Sequence, residues 1–315
     1  MSSVQSRDQP AGVDGPGGPA RSDDPLRGIM LVLGAAVLFS VSDVVAKHLS
    51  AELPTTQIVW MRWVGFVLIM LPLMARRRGW ALRTQLPGLQ ALRSVVLAGS
   101  SLFFIAGLGM LPMASATTMS FISPLLVTAL SIPLLGERVG PRRWAAVLVG
   151  LAGMLIVVRP GTASFEPASV FPLVSALFWA VGMIITRRIS GTDGPVTTMI
   201  YSALGGFVLL SLVVPFGWIT PDLRQAGWSA LMALASTGAQ FLVVNGYRYA
   251  AASVLAPLSY TQLVWSGGMG FLVYASVPDR WTVVGAVVII GSGLYTAHRE
   301  RLAHAARRAG TGQGA

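Results

Sequence analysis

No cysteine occurs in this chain of 315 residues, so disulfide frameworks and thiolate metal sites are excluded. Histidine is scarce. His48, His298 and His304 sit at the edges of apolar runs or in a tail, without the spacing of a ligand set. Charge is scarce too: 11% of the residues are charged and 54% are hydrophobic, where a soluble domain carries about 25% charged residues. With a mean hydropathy of +0.67, this surface cannot face water throughout. Acid is scarcer than base, 12 residues against 23, giving a net charge of +11. Such an excess could serve nucleic acid or anionic lipid. The basic residues are arginines except for Lys47, and most form short clusters between long apolar runs, a pattern of membrane orientation rather than of a nucleic-acid face. No Walker A sequence occurs, and no metal or other cofactor is expected.

What is present is a series of apolar runs. A helix needs about 20 apolar residues to cross a bilayer, and such runs lie near 28–48, 56–75, 88–109, 113–135, 142–158, 168–187, 196–217, 227–247, 253–276 and 281–298. They are too long for strands and lack the alternation of a membrane barrel. The expectation is an all-α integral membrane protein of ten transmembrane helices. Residues 1–26 and 299–315 are expected to be disordered tails, the first rich in Gly, Pro, Ser and Asp with too little apolar material to fold.

Short cytoplasmic loops carry the excess of Lys and Arg. With the N-terminus inside, seventeen arginines fall in cytoplasmic segments and three, Arg159, Arg224 and Arg280, fall outside. Both termini are then cytoplasmic, and the expected location is the inner (cytoplasmic) membrane. Residues 109–161 and 247–301 resemble one another at an offset of about 138: Ser115 meets Ser253, Gly153 meets Gly291, and Arg-Trp pairs lie one residue out of register. Five spans per copy is an odd number, so residues 27–160 and 165–298 are expected to form two five-helix repeats of opposite orientation. Inverted repeats of this kind mark secondary transporters, with the site near the midplane.

Three stretches, "GERVGPRRWAAVLVGLAGMLIVVRPG" (136–161), "LPMASATTMSFISPLL" (111–126) and "YAAASVLAPLSYTQLVW" (249–265), are similar to EamA-type transporters of the drug/metabolite transporter superfamily. The resemblance covers residues 28–298 and implies that fold and a small-molecule substrate. Relatives export amino acids or drugs, or take up vitamins and nucleotide-derived cofactors, and no residue selects among them. Where many relatives repeat a Gly-Glu in the second copy, this chain has Ala275-Ser276, so Glu137 has no counterpart.

An ionisable residue at a helix centre costs about 2.5–3.5 kcal/mol on insertion scales and defaults to a functional hypothesis. Asp43 is the one acid well inside a span. At 1.5 Å per residue it and Arg62 both lie about 10 Å from the outer boundary, where a pair between adjacent helices is plausible. Lys47 shares the Asp43 face by i,i+4 spacing. Two readings stand: a structural Asp43–Arg62 pair with Lys47 snorkelling to the interface, or a cluster that binds or gates a charged substrate. Arg93 is read as an interfacial anchor and Glu137 as part of an orienting turn. The uncharged candidates are Trp60, Ser120, Trp179, Tyr201, Asn245, Tyr260, Gln262 and Trp265. "SYTQLVW" (259–265) concentrates hydrogen-bonding groups beside an indole, which suits a cavity wall for a polar solute. Pro124 and Pro257, similarly placed, are expected to bend their helices.

The function expected is secondary transport of a small organic metabolite by alternating access between the repeats, with the bilayer as a partner and no nucleic acid. A homodimer is left open. The alternatives are an integral-membrane enzyme, which would need a nucleophile–base set or paired carboxylates, and a channel or scaffold.

Overall fold

The computed structural model describes residues 25–76, 83–135, 141–189, 192–249 and 255–311. Among them every regular element is helical: α1 Pro25–Leu49, α2 Thr55–Arg76, α3 Pro87–Met110, α4 Met113–Ser120, α5 Ser123–Leu135, α6 Pro141–Val158, α7 Val170–Ile189, α8 Pro195–Val213, α9 Leu223–Tyr249, α10 Thr261–Tyr274 and α11 Arg280–Thr311, with short 3-10 turns between some of them. Among the described residues, seven helical stretches are long and apolar enough to cross a membrane, with α4 and α5 together making one of them.

Local chemistry accounts for the boundaries. Pro87 and Pro195 stand in the first turns of α3 and α8, where a missing N–H costs nothing. Lys47 lies in the last turn of α1, placing a cationic group near the negative end of its dipole. The 113–135 run is interrupted at Phe121–Ile122, where the Phe121 N–H turns back onto the Thr117 and Thr118 carbonyls, and α5 restarts with Pro124 in its first turn. In the second copy a 3-10 turn, Ala256–Tyr260, precedes α10 and contains Pro257. A proline suits a helix start and disfavours helix before it, so the backbone is interrupted at both places, whereas Pro72 and Pro133 are accommodated inside α2 and α5.

One expectation fails at the C-terminus. Residues 299–311 continue α11 rather than forming a disordered tail. The stretch "RERLAHAARRAGT" is rich in Ala, Arg and Leu, the strong helix formers, and has no proline. Of the other expected tail, residues 1–26, Pro25 and Leu26 begin α1 and the rest lies outside the described residues, as do residues 136–140, which include Glu137, and Ser253.

The packing partnerships are orderly. α1 lies along α9 and α3 along α7; α2 packs on α9 and α3 on α8; α5 packs on α7 and α1 on α10. Three further contacts, α2 with α8, α4 with α10, and α6 with α11, complete the bundle. α1 and α2, neighbours in sequence, do not form a major contact; α9 packs on both. Small residues allow the closest approaches: a Cβ on Gly65 would collide with the Cβ of Ala233 at the α2–α9 crossing, and one on Gly285 would lie 2.6 Å from the Gly153 carbonyl oxygen between α11 and α6.

The interior holds Leu49, Ile58, Ile105, Leu108, Met113 and Met232, all fully buried. Leu68, Leu148, Leu212, Leu234, Val264 and Leu272 are exposed. An apolar exterior around a packed interior is what a bilayer solvates and water does not.

Candidate functional site

Three polar constellations cross between the two halves of the chain. The first surrounds Asp43, which is 2% exposed and within α1. Its Oδ2 accepts from Gln262 Nε2 on α10 at 3.3 Å. One turn along, Lys47 Nζ donates to the carbonyl oxygens of Leu108 and Leu111, both at 2.7 Å. Leu108 lies in the last turn of α3, whose final carbonyls have no intrahelical partner; Leu111 is extended before Pro112, which has no N–H to offer. Lys47 supplies the missing donor. Its ammonium also stands 5.7 Å from the centre of the Tyr274 ring, whose hydroxyl donates to the Val44 carbonyl at 2.7 Å. Lys47 therefore ties α1 to the α3–α4 junction and does not snorkel outward.

Arg62 stands apart. The described ion pairs do not include it with Asp43, although the two charges act on each other through space. The expectation of a contact pair rested on treating α1 and α2 as adjacent helices; α9 packs against each of them, and they barely touch. Arg62 is half-buried, and among the described residues no acceptor takes a hydrogen bond from its guanidinium.

The other two constellations close the ends of the bundle. At one end Glu52, in the α1–α2 turn, accepts from Arg224 Nη2 at 3.2 Å and Gln225 Nε2 at 2.7 Å, both in the first turn of α9. Gln57 exchanges two hydrogen bonds with the Ile219 backbone, at 2.6 and 3.0 Å. Also at this end, Arg159 pairs with Asp279, joining the end of α6 to the start of α11. At the opposite end Asp193, in the α7–α8 turn, accepts from the Thr84 hydroxyl, from the Gln85 N–H at 3.2 Å and from Gln90 Nε2 at 2.8 Å. Burial works to raise the Asp193 pKa, but these hydrogen bonds prevail and hold the carboxyl below its ordinary range. Beside it opens a cleft of about 730 Å³ bordered by Arg83, Thr84, Asp193, Thr197 and Tyr201.

Arg93 is not an interfacial anchor. It is 9% exposed, with Nε on the Thr186 hydroxyl at 2.6 Å and Nη1 on the Thr198 carbonyl at 3.3 Å and the Ser202 hydroxyl. The two helices packed against α3, namely α7 and α8, supply the oxygens that replace water around it.

The sequence-derived candidates separate. Asp43, Lys47 and Gln262 come together, with Arg62 acting on Asp43 from a distance. Tyr260 is buried beside Phe121, ring centres 5.5 Å apart, in a packed junction of α4, α10 and α11. Trp60 is held by the Ser211 hydroxyl at 2.8 Å and lies edge-on to Trp218 at 5.6 Å. Ser120 and Asn245 bond carbonyls one turn back on their own helices, Ala116 and Phe241. Tyr201 belongs to the end cleft. Trp179 and Trp265 are each 43% exposed and make no hydrogen bond among the described residues. Sequence reasoning missed Tyr274, Glu52, Gln90 and Asp193; Pro112, which has no N–H to offer, was the one legible signal for the partners of Lys47.

The model of the EamA-like transporter family matches residues 26–159 and again 167–296. A curated S-adenosylmethionine uptake transporter of Rickettsia prowazekii is 28% identical over 278 residues, 88% of this chain and 94% of that protein. A riboflavin transporter of Vibrio cholerae is 30% identical, covering 84% of this chain and 91% of that protein. A pseudopaline exporter of Pseudomonas aeruginosa is 28% identical, covering 84% and 93%. Among solved structures, one crystal structure matches with a TM-score of 0.62 at 20% identity over 87% of this chain and 97% of its own, a likeness of fold alone.

Proposed function

This chain belongs to the EamA-like transporter family, and we propose that its two matched segments are five-helix repeats of opposite orientation that alternate access to a site between them. It is a multi-pass membrane transporter of small metabolites, not an enzyme; its relatives carry S-adenosylmethionine, riboflavin and pseudopaline. To the seven long spans this reading adds α6, α10 and the apolar first half of α11 as the remaining crossings. We read both termini as cytoplasmic, on the arginine distribution, and the inner membrane as the protein's location.

The observation that carries the reading is reciprocal packing. Let the α4–α5 pair count as one crossing and exchange each crossing of the first half with its equivalent in the second. The α1–α9 contact then becomes α7–α3, the α2–α9 contact becomes α8–α3, and the α5–α7 contact becomes α10–α1. The contacts α2–α8, α4–α10 and α6–α11 map onto themselves. These major contacts are interchangeable between the halves, which supports two equivalent arrangements of the halves, as alternating access requires.

The end constellations supply the gates. Glu52 of the first half holds Arg224 and Gln225 of the second, and Asp193 of the second holds Thr84 and Gln90 of the first. Each carboxylate sits in the turn between the first two crossings of its own repeat. Opening one end breaks one set while the other persists, so the transported solute meets one side at a time.

The absence of cysteine makes the topology directly testable. Ser164→Cys, after α6, is expected to react with an impermeant maleimide in intact cells, and Thr192→Cys, after α7, only after permeabilisation. The reverse pattern would overturn the orientation, and labelling of both in intact cells would overturn the crossing count between them.

A further inference from the structure

The latch at the Glu52 end contains a histidine. His48, in the last turn of α1, places Nε2 3.1 Å from Arg224 Nη2, the same nitrogen that donates to Glu52 Oε1 at 3.2 Å. A guanidinium has donors and no acceptor, so this hydrogen bond exists only while Nε2 has a free lone pair. His48 is therefore neutral in this arrangement, with its proton on Nδ1. Trp228, one turn further along α9, meets the imidazole edge-on with ring centres 5.6 Å apart and holds its plane. The other polar groups around it are already engaged. Lys47 donates to the Leu108 and Leu111 carbonyls, Asp222 Oδ1 takes the Gln225 N–H at 2.6 Å, and Tyr274 from α10 donates to the Val44 carbonyl. α3 brings no charged side chain to this end, since its one arginine, Arg93, lies near its other terminus.

We propose that His48 makes the outer gate acid-sensitive: a proton on Nε2 releases Arg224 and favours the arrangement open to the outside. The proposal rests on the gate reading above and adds its regulation. Once protonated, the imidazole no longer accepts from Arg224 and repels it, because two cations then share one contact. The imidazolium becomes a donor instead, and the acceptor beside it is Glu52, bonded to the same Arg224 nitrogen. His48 and Glu52 belong to the first half and Arg224 to the second. Acid thus exchanges a bond between the halves for a bond within one of them. Gln225 on Glu52 and Gln57 on the Ile219 backbone persist as ties across the gate, so it is loosened rather than abolished. Histidine ordinarily changes charge between about pH 5 and 8. The Asp193 latch has no histidine among its described partners, and its carboxyl is held below the ordinary range. Of the two latches, acid in that window acts on the outer one.

The test uses the full chain in lipid nanodiscs, with nitroxide labels on pairs of introduced cysteines, which the lack of native cysteine makes specific. Ala51→Cys with Gly227→Cys reports the outer end; both positions are exposed, and a Cβ on Gly227 meets nothing within 4 Å. Gln85→Cys with Thr192→Cys reports the inner end. Distances within each pair are read by electron double resonance at about pH 8 and about pH 5, the limits of the histidine range. On acidification the open-to-closed ratio at the outer end is expected to rise about two- to fivefold, the range for an exposed charged contact. His48→Gln, which keeps a neutral acceptor, is expected to stay closed at both pH values, and His48→Arg, permanently cationic, to shift toward open at both. Equal outer distances at the two pH values would overturn the proposal, and so would a pH response that survives in His48→Gln or an inner pair that widens as well. Arg224→Ala breaks the latch outright and is the reference. Widening in Arg224→Ala beside a pH-insensitive wild type would leave the gate reading standing without the proposal. An outer distance unmoved by Arg224→Ala would overturn that reading and the proposal with it.

Discussion

Replacing Lys47 with methionine keeps the length and apolar stem of the side chain and removes the ammonium. Two hydrogen bonds disappear, to the Leu108 and Leu111 carbonyls. Leu108 and Leu111 are buried, and Pro112 offers the Leu108 oxygen no substitute. Hydrogen bonds to a charged group contribute about 1.5–3 kcal/mol each in water-soluble proteins, whereas polar contacts between membrane helices average about 0.6 kcal/mol. Two bonds at the membrane value and two at the lower soluble value bracket a loss of about 1–3 kcal/mol. At about 2–4 °C per kcal/mol for a large domain, the apparent Tm of the detergent-purified chain should fall by about 2–12 °C. Lys47→Arg, which keeps a cationic donor, should lose less. Transport by Lys47→Met should fall with the amount of folded protein while KM stays at the wild-type value. A wild-type melting curve together with a large rise in KM would refute the reasoning and return Lys47 to the substrate.

Two further outcomes follow from the same geometry. Ala275 ends α10 in the left-handed region, φ 50°, with its N–H on Phe271 and the Ser276 N–H on Gly270, the C-terminal cap that glycine fills without strain. Ala275→Gly should therefore raise the apparent Tm, by about 1 kcal/mol of stability, and a lower Tm would show that the Ala275 methyl packs. Asp193→Ala leaves the Thr84, Gln85 and Gln90 donors unpaired and should cost about 1–3 kcal/mol. Because the Asp193 carboxyl is held below its ordinary value of 3.8, its contribution is complete above that value and is lost only as pH falls through the lower folded value. The difference in Tm between wild type and Asp193→Ala should therefore be constant from pH 5.5 to 8, and a slope in that window would contradict the assignment.

Helix positions were legible because a bilayer imposes a length and a composition on anything that crosses it. Every apolar run read from the sequence overlaps a described helix, although α10 begins only at Thr261, after a 3-10 turn, and α11 runs on past the expected end at 298 to Thr311. The interruptions near Pro124 and Pro257 were legible as well, since proline acts on its own turn of backbone. The family could be read from the stretches 111–126, 136–161 and 249–265, which carry the resemblance that the family model then extends to nearly the whole chain.

The site was legible only in part. Asp43, Lys47, Arg62 and Gln262 stood out because charges and amides are rare inside spans. Their partners did not, because a partner is a matter of which helices touch. Lys47 bonds carbonyls more than sixty residues away, Gln262 reaches Asp43 across 219 residues, and Arg93 is wrapped by hydroxyls from two helices of the other half. Sequence order suggested that α1 and α2 pack together and that Asp43 meets Arg62. The tertiary structure sets both helices against α9, because the small residues that permit close approach, such as Gly65 opposite Ala233, lie on the faces turned toward that helix. By itself, then, the sequence determined that the chain is helical, where its helices lie and that a few costly charges sit within them, since those follow from local hydropathy and backbone chemistry. Which charges are satisfied by protein was decided by packing, where shape rather than hydropathy selects the neighbour.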